Sequence, residues 1–485
     1  MHITYISNME RVKTYPEWVT KHKQKGTNIS CIGGRYYLYA VNSVWNKDKK
    51  RAQKITKQYL GRITPQGLTP PKHKPQTQTT TPTVKEYGAT HTLNQLGQDI
   101  LTQLKKNFTQ TQAQQIFTLS ALRVIQPSPF KRAQTQYQTS YLSEIYPNLN
   151  LTKNHLTQFL KNLGTNREAI LEFMKPFIGK NQHILFDGTN LHTKSKKLPH
   201  SHKGYNPQEN YEPQINLLYA FTVKSKMPAY YRILPGNIRE VTAFKLSIAE
   251  ADLSDVVVIG DKGFGSQSNF DMLVEAGLCY IVPLKRNNVL FDSSRLKSGD
   301  KAVFEGYFMF NERPIWFYKL GEGVVVFLDE VLKCEEEAHY LVNLGRELEG
   351  YTMGGFLEAQ FKFGTIVLRS NVLVSPRELF ELYKVRGEIE LLFDFLKNLL
   401  EQDRSYMSDQ YSLEAWAFVN HVSLMLLYRV YDLLRTKELL NRFSIADFLT
   451  HLKYIFKVKI NDVWHLSEVT QKTNDLLETL NIPIT

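Results

Sequence analysis

Between His183 and Leu284 the chain follows an order that few folds accommodate. His183–Asp187 is a short apolar run, and Gln214–Val223 and Ala229–Leu234 are longer ones, followed by the turn Pro235-Gly236-Asn237. Residues 239–251 suggest a helix. Asp255–Gly260 reads as a buried strand, residues 267–277 as a second helix and Cys279–Leu284 as another strand. Runs rich in β-branched and aromatic residues, punctuated by Gly, Pro and Asn, make strands, and longer periodic segments make helices. Three strands, a helix, a strand, a helix and a strand define an α/β core. Two acids close strands in it: Asp187, before Gly-Thr-Asn, and Asp261, in Val-Val-Val-Ile-Gly-Asp-Lys-Gly-Phe-Gly. Such positions border the crevice where α/β sheets bind ligands, and flanking glycines leave room for a substrate. Each acid alone equally suits a turn.

A third acid comes from Tyr383-Lys-Val-Arg386-Gly-Glu-Ile-Glu390-Leu-Leu-Phe-Asp394-Phe-Leu-Lys397. Wound at ~100° per residue, Tyr383, Arg386, Glu390, Asp394 and Lys397 share one face. Leu382, Ile389, Leu392, Phe393, Leu396, Leu399 and Leu400 take the other, which can enter a core. The polar face can be an ordinary surface with pairs such as Arg386 and Glu390. It can also be a carboxylate set among two cations and a phenol, suited to a metal beside a phosphate. Asp187, Asp261 and Glu390 together can hold two divalent ions ~4 Å apart, one activating the attacking oxygen and one stabilising the leaving oxygen. Carboxylates suit Mg2+ or Mn2+, whereas zinc sites favour His and Cys.

The spacing Y-x-x-R-x-x-x-E-x-x-x-x-x-x-K resembles the Y-R-E-K signature of bacterial insertion-sequence transposases of the DDE type. The resemblance runs from about Asp187 to Tyr428. It includes Phe186-Asp187-Gly-Thr, Tyr231-Arg-Ile-Leu-Pro235-Gly-Asn237, Gly260-Asp-Lys-Gly-Phe264 and Ile281-Val-Pro-Leu-Lys-Arg286. It implies a ribonuclease-H-like catalytic core interrupted by a β-rich insertion between the second Asp and the Glu. It also implies two divalent ions held by Asp187, Asp261 and Glu390, and contacts to the terminal phosphates of the element from Tyr383, Arg386 and Lys397. The activity implied is cut-and-paste transposition: cleavage at the element ends, then transfer of the freed 3′-hydroxyl into target DNA, by a homodimer assembled on DNA in the bacterial cytoplasm and nucleoid. Two positions depart from the family pattern. Gly387 stands where Trp is common, at ~1 kcal/mol relative to Ala in an exposed helix, and the acid after the Pro-Gly-Asn turn is Glu240. The rivals are a transposase-derived DNA-binding protein without cleavage activity and a metal-dependent nuclease that cannot join.

Outside the core, residues 1–68 read as a basic β-containing unit. In it the strand Arg35–Trp45, the basic turn Lys47–Lys54 and the return Ile55–Leu60 make a hairpin, whose aromatics and cations suit either a DNA backbone or a solvated tip. Residues 69–87, with Pro70, Pro71, Pro75 and Pro82, read as a linker. Residues 88–180 read as a basic helical region, with one or two helices in Leu93–Ile125 and two more in Ser140–Phe177, punctuated by Asn148 and Gly164. The core occupies 181–289 and 373–460 around an insertion at 290–372 with strands Ala302–Phe310, Pro314–Leu320, Gly323–Asp329 and Phe361–Arg369. Helices are expected over Pro376–Asp403, 411–436 and 444–456, with a tail at 461–485.

Charge supports a polyanionic partner. The net charge is +13, with +12 in residues 1–90, +9 in 91–207 and −8 in the remainder. Cys31, Cys279 and Cys334 match no zinc or disulfide pattern. No leader-like segment opens the chain, and no apolar run approaches a membrane span. His192, His200 and His202 surround the basic loop Lys194–Lys203 and read as exposed loop histidines; Lys194, Lys196, Lys197 and Lys203 suit a DNA backbone. Trp316 fits an ordinary β-face, although relatives can use an aromatic here to hold a flipped base.

Overall fold

Tyr-, Val- and Ile-rich segments near the N-terminus form an antiparallel meander in chain order: Thr27–Ile32, Arg35–Asn46, Arg51–Thr64 and Gly67–Thr69. Gly33 and Gly34, both at positive φ, make the first tight turn. Val19, Ile29, Leu38 and Ile63 form a small core, flanked by Tyr15, Trp18, Tyr36 and Leu60. The expected hairpin is present, but its return strand begins at Arg51 rather than Ile55. Residues 47–50 of its basic turn lie outside the described residues. The computed structural model describes residues 14–46, 51–71, 82–179, 183–193, 195, 197–203, 213–237, 240–251, 256–321, 323–401 and 404–484, with backbone alone at 46, 240–245 and 404. The chain divides into two units, Met1–Thr81 and Pro82–Thr485.

The second unit is built on one mixed sheet. Its strands are β1 (His183–Thr193), β2 (Pro213–Thr222), β3 (Met227–Pro235), β4 (Val257–Ile259), β5 (Cys279–Pro283), β6 (Gly306–Phe310), β7 (Arg313–Leu320), β8 (Val324–Asp329) and β9 (Thr365–Ser370). β1 pairs antiparallel with β2, and β2 with β3. β4 lies parallel to β1, and β5 parallel to β4. The order β3-β2-β1-β4-β5, with helices Glu240–Ala251 and Gln267–Glu275 in the two crossovers, is that of a ribonuclease-H-like core. β9, β8, β7 and β6 then continue the sheet from β5. With Arg404–Ser405 on β1 and His202–Lys203 on β2 the sheet has eleven strands. The insertion therefore extends the core sheet edge. It also carries helices Glu330–Gly345 and Met353–Ala359, which a β-rich expectation omits.

Several expected boundaries shift, each for a local reason. β1 does not end at Asp187 but runs on to Thr193, because β2 pairs with it through His192. Thr83–Glu86, expected within the linker, is a strand paired with Phe456–Ile460, and residues 72–81 of that linker lie outside the described ones. The expected tail contains strand Val463–Leu466 and helix Gln471–Leu480, whose Leu476, Leu477 and Leu480 are buried. Leu93–Ile125 belongs to three helices, Gly88–Leu96, Gln98–Asn107 and Gln110–Ile125, the last opened by a Thr109–Gln112 capping box. Gly164 does not interrupt a helix. It lies inside Lys153–Thr165, where a Cβ would meet the Tyr411 carbonyl oxygen at 1.8 Å, so glycine permits close packing against the next helix. That next helix, Gln410–Thr436, is apolar nearly all round and buried through most of its length, the pattern of a central scaffold element.

Candidate active site

The parallel pairing of β1 with β4 sets two acids side by side. Leu185 is registered against Ile259, and both are buried. Asp187 and Asp261 each follow two residues later, so both emerge beyond the carboxyl end of β4 on the same side of the sheet. Asp187 accepts a hydrogen bond from the Gly188 N–H at 2.8 Å. Asp261 caps the short 3-10 turn Lys262–Phe264, accepting from the Lys262 N–H.

The third acid arrives on a helix that is not regular. Ser375 caps the first piece, Pro376–Lys384, with Pro376 at its first position. Around Val385 and Arg386 the chain tightens into three-residue bonding, Arg386 N–H to Tyr383 carbonyl and Ile389 N–H to Arg386 carbonyl at 3.0 and 3.1 Å. Gly387–Asp394 is α-helical, and Phe395–Leu399 widens into a π turn closed by Leu400 N–H on the Phe395 carbonyl. The expected continuous helix to Asp403 is thus three differently wound pieces. Lys397 sits on the π turn, exposed, out of the phase that a regular helix would give it. The opposite face is buried through Ile389, Leu392, Leu396 and Leu400, joined by Phe395. Phe393 packs on Tyr219, which is the cross-strand partner of Asp187. The Tyr428 hydroxyl donates to the Glu388 carbonyl at 2.7 Å. These contacts hold the segment carrying Glu390 against β2 and the central helix.

All three acids meet one cation. One terminal nitrogen of Arg386 lies 3.4 Å from Asp261 Oδ1 and 3.9 Å from Asp187 Oδ2, and the other lies 3.7 Å from Glu390 Oε1. These separations exceed the ~2.8 Å of a charge-assisted hydrogen bond, so the guanidinium sits among the carboxylates without engaging any one fully. Burial pulls its pKa down, but Asp261, Asp187, Tyr383 and Glu390 outweigh that and hold it above the usual arginine value. Burial raises the Tyr383 phenol, and Asp261 and Glu390 add to this against the opposing charge and hydrogen bond of Arg386. The Glu390 side chain is 66% exposed, which leaves the crevice open to a large substrate. As a donor set, carboxylate oxygens suit a hard divalent ion, but here Arg386 occupies the position of that positive charge. Among the described residues, no group of three or more His, Cys, Asp or Glu side chains lies close enough to hold a metal as arranged. The convergence on Arg386 is what sequence reasoning missed; only its spacing from Glu390 was visible.

The remaining expectations resolve differently. His192 lies on β1, and His200, whose carbonyl accepts from the Gly236 N–H, precedes the edge strand His202–Lys203; both are half-buried rather than exposed, burial lowers the His200 pKa, and His202 is exposed. Lys197 and Lys203 are exposed, while Lys194 and Lys196 and the Glu240 side chain lie outside the described residues. Trp316 belongs to an aromatic cluster with Phe304 and Tyr307, and the Lys301 ammonium stands 5.2 Å from its ring centre.

The family model described as transposase DDE domain matches residues 178–426, the span holding Asp187, Asp261 and Glu390. The chain belongs to the DDE transposase family. It is also similar to a solved piggyBac transposase synaptic complex with hairpin DNA, at 10% identity and a TM-score of 0.38, over 76% of this chain and 79% of that one. No curated protein matches. In this DDE transposase family chain, no described helix is long and apolar enough to cross a membrane.

Proposed function

We propose that this chain performs cut-and-paste transposition of an insertion sequence, and that Asp187, Asp261 and Glu390 are its catalytic carboxylates. The observation that supports the reading most directly is their meeting around Arg386 beside the open end of the core sheet. The three carboxylates would hold divalent ions, Mg2+ or Mn2+, which supply an activated attacking oxygen and charge stabilisation for the leaving one. Tyr383 and Arg386, stacked one tight turn apart, and Lys397 on the π turn would bind the phosphates at the element end. Water first forms a bond to the scissile phosphorus as the bond to the 3′-oxygen breaks, releasing a 3′-hydroxyl. That hydroxyl then attacks a target phosphodiester by the same in-line displacement, with the target's own 3′-oxygen leaving. Neither step needs a covalent protein intermediate. A homodimer assembled on paired ends fits a reaction that must cut two of them. Lys397→Ala should slow end processing with little effect on metal affinity or thermal stability.

The test is a plasmid carrying the element's own ends, incubated with Mg2+ and the full chain. Cleaved ends and joined products are expected, and Asp187→Asn, Asp261→Asn and Glu390→Gln should each reduce cleavage at least a hundredfold while DNA binding survives. Near-normal cleavage by any one variant removes that residue from the site. Cleavage without joined products reduces the chain to a nuclease.

A further inference from the structure

The hairpin of the N-terminal unit extends well beyond the sheet that supports it. The first strand of that unit pairs with Arg35–Ala40 only, and the fourth reaches only Arg62–Thr64. The Val41 N–H is still held by the Gly26 carbonyl. Beyond it, the rungs from Asn42↔Ile55 to Asn46↔Arg51 form a two-stranded ribbon with no third strand among the described residues. At ~3.4 Å per residue this arm projects roughly 17 Å. Residues 42–45 and 51–58 are exposed, with Val44 at 49%, Trp45 at 62% and Ile55 at 49%. An isolated two-stranded ribbon is marginal in water, so an arm kept this long and this bare is built for a partner.

The ribbon's own chemistry identifies that partner. The arm carries Arg51 and Lys54, with Lys57 at its base, and the two strands that form it, Arg35–Asn46 and Arg51–Thr64, contain not one Asp or Glu. Register places Asn42, Gln53 and Arg51 on one face, with Val44 and Ile55, and places Ser43, Trp45, Ala52 and Lys54 on the other. Arginine, asparagine and glutamine read base edges in pairs of hydrogen bonds, and the ~12 Å major groove of B-DNA admits a two-stranded β-ribbon. We infer that this arm is a DNA-reading element: its Asn42–Gln53–Arg51 face enters the major groove of duplex DNA, and Lys54 and Lys57 reach the flanking phosphates. The assignment rests on the reading that the chain acts on DNA, but not on the identity of the catalytic carboxylates.

The experiment uses the full chain in EDTA, where no cleavage intrudes, with a labelled 30-base-pair mixed-sequence duplex titrated across a salt series. The variant Arg51→Thr/Lys54→Thr/Lys57→Thr keeps strand propensity while removing the charges. It should bind at least tenfold more weakly at low salt, and its salt slope should be shallower by about 2, at ~0.9 for each of the two lost phosphate contacts. An RNA duplex, whose major groove is too narrow to enter, should show no such loss. The second variant, Asn42→Ala/Gln53→Ala, should keep mixed-sequence affinity within about twofold, yet recover different sequences from a randomised duplex pool. An unchanged salt slope in the first variant overturns the proposal. So does an equal loss on RNA, or an unchanged sequence preference in the second variant. The titration runs in EDTA without cleavage and reads only the arm, so its outcome does not depend on which carboxylates are catalytic, and failure of the arm and failure of the catalytic reading remain distinguishable.

Discussion

Arg386 is held by groups that compete with one another for it. Three carboxylates share one guanidinium at separations too long for full hydrogen bonds. Without that cation their mutual repulsion would splay the strand ends from the helix. Arg386→Ala is therefore expected to lower the melting temperature in EDTA, and saturating Mg2+ should raise it more in the variant than in the parent, because the ion then supplies the missing positive charge. Calorimetry with and without Mg2+ checks this, and an equal metal response in both proteins would show that Arg386 and the ion do not share the carboxylates. At this scale the sequence was legible in what each residue is, since the acids stand out beside glycines and strand ends. It was silent on which cation would stand among them, because that depends on contacts made across about 200 residues of chain.

Among the elements, Arg167 ties together pieces that the sequence keeps far apart. On helix Arg167–Ile178, its guanidinium bonds Glu250 at the end of one crossover helix, Glu414 on the long central helix, and the Tyr231 carbonyl of β3. Burial pushes the Glu250 pKa up, but the hydrogen bond and charge of Arg167, with help from Tyr230 and Arg232, bring it below the ordinary carboxylate value. A depressed carboxylate adds stability above its unfolded pKa near 4.5 and loses it as the pH falls through the folded value. Arg167→Met should cost about 2 kcal/mol at neutral pH, because the half-buried Glu250 and Glu414 lose their shared cation and keep only Tyr230, Arg232 and the Tyr231 hydroxyl as partners. It should also weaken the acid-limb stability loss assigned to Glu250, and urea unfolding between pH 3 and 7 reads both effects. Element type was largely legible here: β1–β5, the two crossover helices and the central helix all follow from apolar periodicity. What periodicity could not show was winding. A pattern read at one fixed angle per residue cannot register the tight turn at Arg386 or the π turn at Phe395–Leu399, because both keep the apolar face buried. The helices within the insertion escaped for the opposite reason: several of their apolar residues, among them Leu341, Val342 and Leu357, are exposed and blur any core-facing stripe.

At the level of the whole chain, the two units each carry their own core. A chain lacking residues 1–81 is expected to melt cooperatively and to keep its ribonuclease-H-like sheet, while losing most of its low-salt affinity for duplex DNA. Circular dichroism and DNA titration on the same preparation test this, and a truncated chain that fails to fold would show that the second core depends on the first unit. Composition marks the Pro-, Thr- and Gln-rich stretch 69–87 in which the chain divides, while the excess of positive charge runs on to residue 207. It did not reveal that the insertion prolongs the core sheet, since pairing of β5 with β9 joins segments about 85 residues apart. One consequence of the sheet concerns tolerance to change. Asp187 and Asp261 stand at equal offsets from the rung Leu185↔Ile259, so their alignment is a matter of parity. Adding or deleting one residue between rung and acid in either strand would turn that carboxylate to the opposite face, since side chains alternate every residue. Changing two would restore the face but carry the group about 7 Å along the strand. Substitutions around these acids can therefore be absorbed, whereas changes of length cannot, and lineages of this chain should vary in composition here while holding their count.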